Sequence, residues 1–134
     1  PEFIKNNSNQ FEARQVLVKI PKSNSMLFKN MEKSVLPIIV SHGEGKISIK
    51  NKASIKKATM QYVDMSGKCT EEYPYNPNGS LSGVTGFCNN DGRINIMMPH
   101  PERLSHINNF SWSPEEWTLS PWLKLFNNAR EWIN

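Results

Sequence analysis

The chain has 134 residues, 37% of them hydrophobic and 21% charged. One domain's worth of chain with that much apolar material can bury a core without disulfide staples, so a wholly disordered tail is excluded. It is also short for an enzyme that must hold two substrates. Sixteen Lys plus Arg against twelve Asp plus Glu leave a net charge of +4, a modest excess. The longest apolar run, Leu36 to Val40, is interrupted by Pro37, far short of the roughly 18 residues a membrane helix needs.

In chain order, the start Pro1-Glu2-Phe3-Ile4-Lys5 lacks both an initiator Met and a leader pattern, and reads as an interior piece of a longer chain, a processed chain or a trimmed one. Gln15 to Ile20 predicts a strand closed by Pro21, and Ser25 to Met31 a short helix with Met26, Leu27, Phe28 and Met31 apolar. Leu36 to Ser41 reads as a strand of a sheet buried on both faces. Lys46 to Lys50 alternates as a half-exposed strand, Asn51 to Thr59 is weakly helical, and Met60 to Val63 is a strand ending in the turn Asp64 to Gly67. Tyr73 to Gly79, rich in Pro, Asn and Gly, predicts an irregular loop shaped for a purpose. Val84 to Cys88 and Arg93 to Met98 flank Asn90-Asp91-Gly92 as a hairpin.

Near the end, Ser113-Pro114-Glu115-Glu116 has capping-box spacing with Pro at the first helical position. Ser120-Pro121 opens a second helix whose apolar stripe is Trp122, Phe126, Ala129 and Ile133, widened by Leu125 and Trp132. Mixed strands and helices without repeats or linkers give a single α/β or α+β layered domain over residues 1–134.

Lys46, Lys50, Lys52, Lys56 and Lys57 cluster, but no aromatic residue is interleaved for base stacking, so a solvated face is favoured over a nucleic-acid patch. Cys69 and Cys88 have neither zinc spacing nor a disulfide framework, so no metal site is expected and reduced cytoplasmic thiols are the default. The most specific local feature is Met97-Met98-Pro99-His100-Pro101-Glu102-Arg103 after an alternating strand. In an extended, proline-bracketed segment His100 and Glu102 point to one side, where a carboxylate can orient an imidazole as a base. Equally, His100 can simply cap the strand while Glu102 serves as the first-turn acid of a following helix.

Several blocks in order resemble a known family. They are Asn6-x-Ser8-x-x-Phe11-Glu12-Ala13-Arg14, Ser41-His42-Gly43-Glu44-Gly45, Tyr73-Pro74-x-Asn76-Pro77-Asn78-Gly79-Ser80, Asp91-Gly92-Arg93, Met97 to Arg103, Ser111-Trp112, and Ser120-Pro121-Trp122 through Phe126-x-Asn128-Ala129-Arg130. Together, from Phe3 to Trp132, they resemble the C-terminal part of the class I glutaminase domain of phosphoribosylformylglycinamidine synthases. The resemblance implies a class I amidotransferase-like (flavodoxin-like) layered α/β fold, present as its C-terminal portion, in an enzyme of purine biosynthesis. Glutamine is hydrolysed at a Cys-His-Glu triad, and ammonia passes to a synthase domain that uses ATP and Mg²⁺. It implies His100 as the base, Glu102 as its orienter, and Ser41, Gly43 and Glu44 as residues that hold glutamine. His42 is read as a loop-packing residue rather than a catalytic one.

The family's nucleophile sits on a Gly-x-Cys-x-Gly type of elbow, upstream of the Asn6 block. Gly86-Phe87-Cys88-Asn89-Asn90 lacks the second Gly, and Cys69 lies in a polar turn region beside the acids Glu71 and Glu72. Both are read as ordinary thiols. The expectation is therefore a cytoplasmic glutaminase part, inactive alone, whose partners are glutamine and the other domains of the same synthase, with no cofactor of its own and neither nucleic acid nor membrane. A free-standing, non-catalytic module kept for binding or assembly is the alternative.

Overall fold

The computed structural model describes residues 2–134. Two short strands, β1 (Glu2–Ile4) and β4 (Lys46–Ser48), pair antiparallel as a separate ribbon. Between and beyond them run β2 (Glu12–Lys19), β3 (Val35–His42), β5 (Ala58–Val63), β6 (Val84–Cys88) and β7 (Asn95–Met97). These form a five-stranded sheet in the order β3-β2-β5-β6-β7, antiparallel at every pairing. One α-helix, α1 (Leu123–Ile133), is formed among the described residues. The mixed α/β class expected from the sequence holds, as does the hairpin about Asn90-Asp91-Gly92, where Gly92 has φ +75° and the chain passes too close to Asn24 for a Cβ.

The sheet is strongly curled. Register irregularities between β5 and β6 add local twist. As a result, three residues after β7 leaves one edge, His100 forms an antiparallel bridge with Ile39 on β3, at the other edge. The carbonyls of Pro37 and Ile39 both face away from β2: the first accepts from Trp122 Nε1 at 2.7 Å, the second from the His100 N–H at 2.8 Å. Pro37 therefore sits where its missing N–H costs no ladder bond, the position an edge strand allows.

The main core lies inside the curl and under α1, where Val16, Val18, Ile38, Val40, Met60 and Tyr62 meet Phe28, Leu104, Trp122 and Leu125. A second cluster joins Ile47, Ala58, Val84 and Phe87. β3 alternates buried residues with half-buried or exposed ones rather than being buried on both faces, because Val35, Pro37, Ile39 and Ser41 face outward at an edge.

Three helical expectations are corrected. Ser25 to Met31 is a chain of turns, with Asn30 at φ +61°. Asn128 Nδ2 donates to the carbonyls of both Leu27 and Lys29 at 2.8 Å, and the first of these is one a helix would have bonded to the Met31 N–H. Ser113 to Glu116 makes a single turn, since Trp117, packed edge-on against Phe110, is its only apolar anchor and a helix needs a buried stripe. On α1 the buried face is Trp122, Leu125 and Asn128, while Phe126, Trp132 and Ile133 are exposed. The polar Asn128 replaces an apolar stripe position because it is needed to cap the Leu27–Lys29 turn. Asn51 to Thr59 holds a 3₁₀ segment, Lys52–Lys57, capped by the Asn51 side chain.

Candidate active site

His100 occupies the position before a short 3₁₀ turn, Pro101–Leu104, with Pro101 at its first residue and Glu102 in its first turn. The segment is thus not extended through Glu102, as the proline bracketing suggested. The turn itself folds the carboxylate back. His100 Nδ1 and Glu102 Oε1 are 2.8 Å apart, both side chains reachable by solvent. An ionised carboxylate can only accept, so Nδ1 carries the proton and Nε2 is left as a free basic lone pair. The first-turn acid of the 3₁₀ segment is thus the same carboxylate that pairs with the imidazole.

Ser41 lies on the outward face of β3, two residues from the Ile39 that His100 bridges, so the strand end and the imidazole share one rim. Gly43 and Glu44 line a cleft of about 240 Å³ together with Lys5, Asn9, Gln10 and Phe11. His100 and Glu102 are not in that lining. A Cβ at Gly43 would meet nothing within 4 Å, so the space above this backbone is open. Gly45 differs: a Cβ there would come within 2.1 Å of His42 Nε2, so only glycine lets the His42 ring lie where it does.

His42 is buried, with its ring centroid 6.4 Å from that of His100. Burial pushes its pKa below the ordinary 6.5, and the neighbouring His100 adds to the depression, against the opposing hydrogen bond that the ring makes to Asn78. It is a neutral imidazole that packs the loop beside half-buried His100. Across the β2–β3 pairing it faces Glu12, which is buried and paired with the Arg14 guanidinium. Arg14 in turn donates to the Tyr73 hydroxyl at 2.6 Å and lies against that ring.

The buried asparagines are the feature that motif reading left without a role. Asn76 staples the Tyr73 to Ser80 loop: Nδ2 donates to the carbonyls of Thr70 and Ser80, and Oδ1 accepts from the N–H of Gly79. Asn6 does the same for the Ser41 to Gly45 loop, and Asn78 braces the Asn6 side chain and the His42 ring. The available signal was local: short amide side chains in Pro- and Gly-flanked segments satisfy backbone groups that no strand or helix can reach.

Neither cysteine is near the imidazole. Cys88 ends β6 at the hairpin, lining a cleft with Lys22, Lys56 and Lys57, and Cys69 bridges Val63 beyond the far end of β5. Of the lysine cluster, Lys50, Lys52, Lys56 and Lys57 are exposed, and Lys46 Nζ donates to Asn7 Oδ1. No helix among the described residues is long and apolar enough to cross a membrane.

A family model described as a CobB/CobQ-like glutamine amidotransferase domain matches residues 1–133. A chain in the structure of PurLQS from Thermotoga maritima has the same fold, with a TM-score of 0.72 at 20% identity. The alignment covers 98% of this chain and 52% of that one, so this chain spans about half the length of the chain it matches.

Proposed function

The chain belongs to the CobB/CobQ-like glutamine amidotransferase domain family, and from that membership we propose that it is the base-bearing part of the glutaminase of a phosphoribosylformylglycinamidine synthase. The observation that carries the reading is the 2.8 Å pairing of His100 Nδ1 with Glu102, which leaves Nε2 free at an accessible rim. His100 takes the proton of a cysteine thiol supplied from outside these residues, since Cys69 and Cys88 lie elsewhere. The thiolate attacks the side-chain amide carbon of glutamine, and His100 returns the proton to the departing ammonia. Water, deprotonated by the same imidazole, then cleaves the thioester and releases glutamate. Glu102 holds the tautomer and stabilises the imidazolium. Ser41, Gly43 and Glu44 hold the amino-acid end of glutamine, with Glu44 accepting from the α-ammonium in the open cleft.

The ammonia is consumed in the cytoplasm by the synthase domains, which convert formylglycinamide ribonucleotide to its amidine with ATP and Mg²⁺. Those ligands are assigned to the synthase domains by the family resemblance.

The test compares glutamine-dependent with ammonia-dependent turnover of the complete synthase. His100→Ala is expected to lower the first by at least about 10³-fold and spare the second. Equal loss of both would make His100 structural. The 134-residue chain alone is expected to release no glutamate from glutamine; release abolished by Cys88→Ser would overturn the reading.

A further inference from the structure

Asn6, Asn78, Tyr62 and Thr85, all buried, form a hydrogen-bond network beneath the Ser41 to Gly45 loop. Its directions are fixed from the backbone outward. Asn6 Nδ2 donates to the carbonyls of His42 and Gln10 at 2.9 Å, and Asn6 Oδ1 accepts from the N–H of Gly45 at 3.0 Å. The Asn6 N–H donates to the Gly43 carbonyl at 2.9 Å. Asn78 must therefore present Nδ2 to Asn6 Oδ1, 2.7 Å away, and turn Oδ1 toward Tyr62 and His42. Thr85 Oγ1 donates to the Tyr62 hydroxyl, which passes its own proton to Asn78 Oδ1. Facing an acceptor, His42 Nε2 is the nitrogen that donates to Asn78 Oδ1, at 3.3 Å.

We propose that Asn6, Asn78 and Tyr62 are positioning residues for glutamine: they impose one tautomer on His42 and so fix the backbone of Gly43 and Glu44. The proposal rests on the reading that this loop holds the amino-acid end of the substrate. Three backbone positions that flank Glu44, at His42, Gly43 and Gly45, are tied to the single side chain and amide of Asn6. Glu44 itself is exposed and free to meet a ligand. A loop so held is preorganised, and losing the hold weakens ground-state binding more than the chemical step.

The experiment measures KM and kcat for glutamine in the complete synthase, each normalised to ammonia-dependent turnover. Asn78→Asp sets an acceptor against Asn6 Oδ1 and breaks the central link. It is expected to raise KM about tenfold while kcat stays within about threefold. A fall in kcat at unchanged KM overturns the proposal. Tyr62→Phe keeps the ring in the core and removes only the donor to Asn78, so it decides the matter should Asn78→Asp not fold. A KM rise of about threefold is expected, and a KM equal to that of the parent overturns the proposal. Glutamine-dependent turnover absent from the parent enzyme would instead overturn the glutaminase reading, and this proposal with it.

Discussion

The His100 N–H donates to the Ile39 carbonyl at 2.8 Å, although the two residues belong to segments leaving opposite edges of the five-stranded sheet. That bond places the imidazole beside the end of β3, next to Ser41 and above the loop that carries Gly43 and Glu44. The curl of the sheet is thus what makes one rim from motifs nearly sixty residues apart in the chain, and Trp122, anchored on the Pro37 carbonyl, stands at the same edge.

Replacing Glu102 by Gln keeps the side chain's shape but lets its amide donate to His100 Nδ1 and select the wrong tautomer. Glutamine-dependent kcat of the complete synthase should fall about 10²-fold with little change in KM, measured beside ammonia-dependent turnover. An unchanged kcat would remove Glu102 from the mechanism.

Gly45→Ala would bring a Cβ within 2.1 Å of His42 Nε2 and 2.6 Å of Asn78 Nδ2. Both atoms belong to buried residues with nowhere to retreat. The expected cost is about 1–3 kcal/mol, read as a shift of the urea unfolding midpoint. Gly43→Ala, in open space, should leave that midpoint within about 0.5 kcal/mol of the parent.

His42 gives the fold a pH dependence. Its folded pKa lies below the unfolded value near 6.5, chiefly through burial. Above that value neither state is protonated and the full stability is present. As pH falls below it, the unfolded chain binds a proton that the folded one refuses, so stability drops until the folded pKa is passed. Urea midpoints should therefore decline from pH 7.5 to 5.5, and His42→Gln, which cannot titrate, should flatten that decline.

Trp122→Phe removes the donor to the Pro37 carbonyl and part of a fully buried ring. A loss of about 2–4 kcal/mol is expected by urea unfolding. The variant should also lose the most blue-shifted part of the tryptophan emission, since Trp112 and Trp132 are exposed.

Strand positions were readable because period-two alternation and turn chemistry are local: Val16, Val18 and the Asn90-Asp91-Gly92 turn stand where their side chains and backbone preferences require. Helices were less so. Ser25 to Met31 and Ser113 to Glu116 carry helix-start chemistry, yet Asn128 takes the carbonyls of the first and nothing buries a face of the second.

By itself the sequence determined most strands of the five-stranded sheet, the hairpin, and the pairing of an imidazole with a carboxylate, since His100 and Glu102 are close along the chain and Pro99 and Pro101 restrict the backbone around His100. Only the tertiary structure decided what that pair stands beside. The Ile39 bridge, the tautomer of His42 and the hold of Asn6 and Asn78 on the Ser41 to Gly45 loop depend on a sheet that curls until its edges meet. Such contacts are fixed by closure of the whole sheet and by buried amides finding every partner, and no local pattern in the chain encodes either.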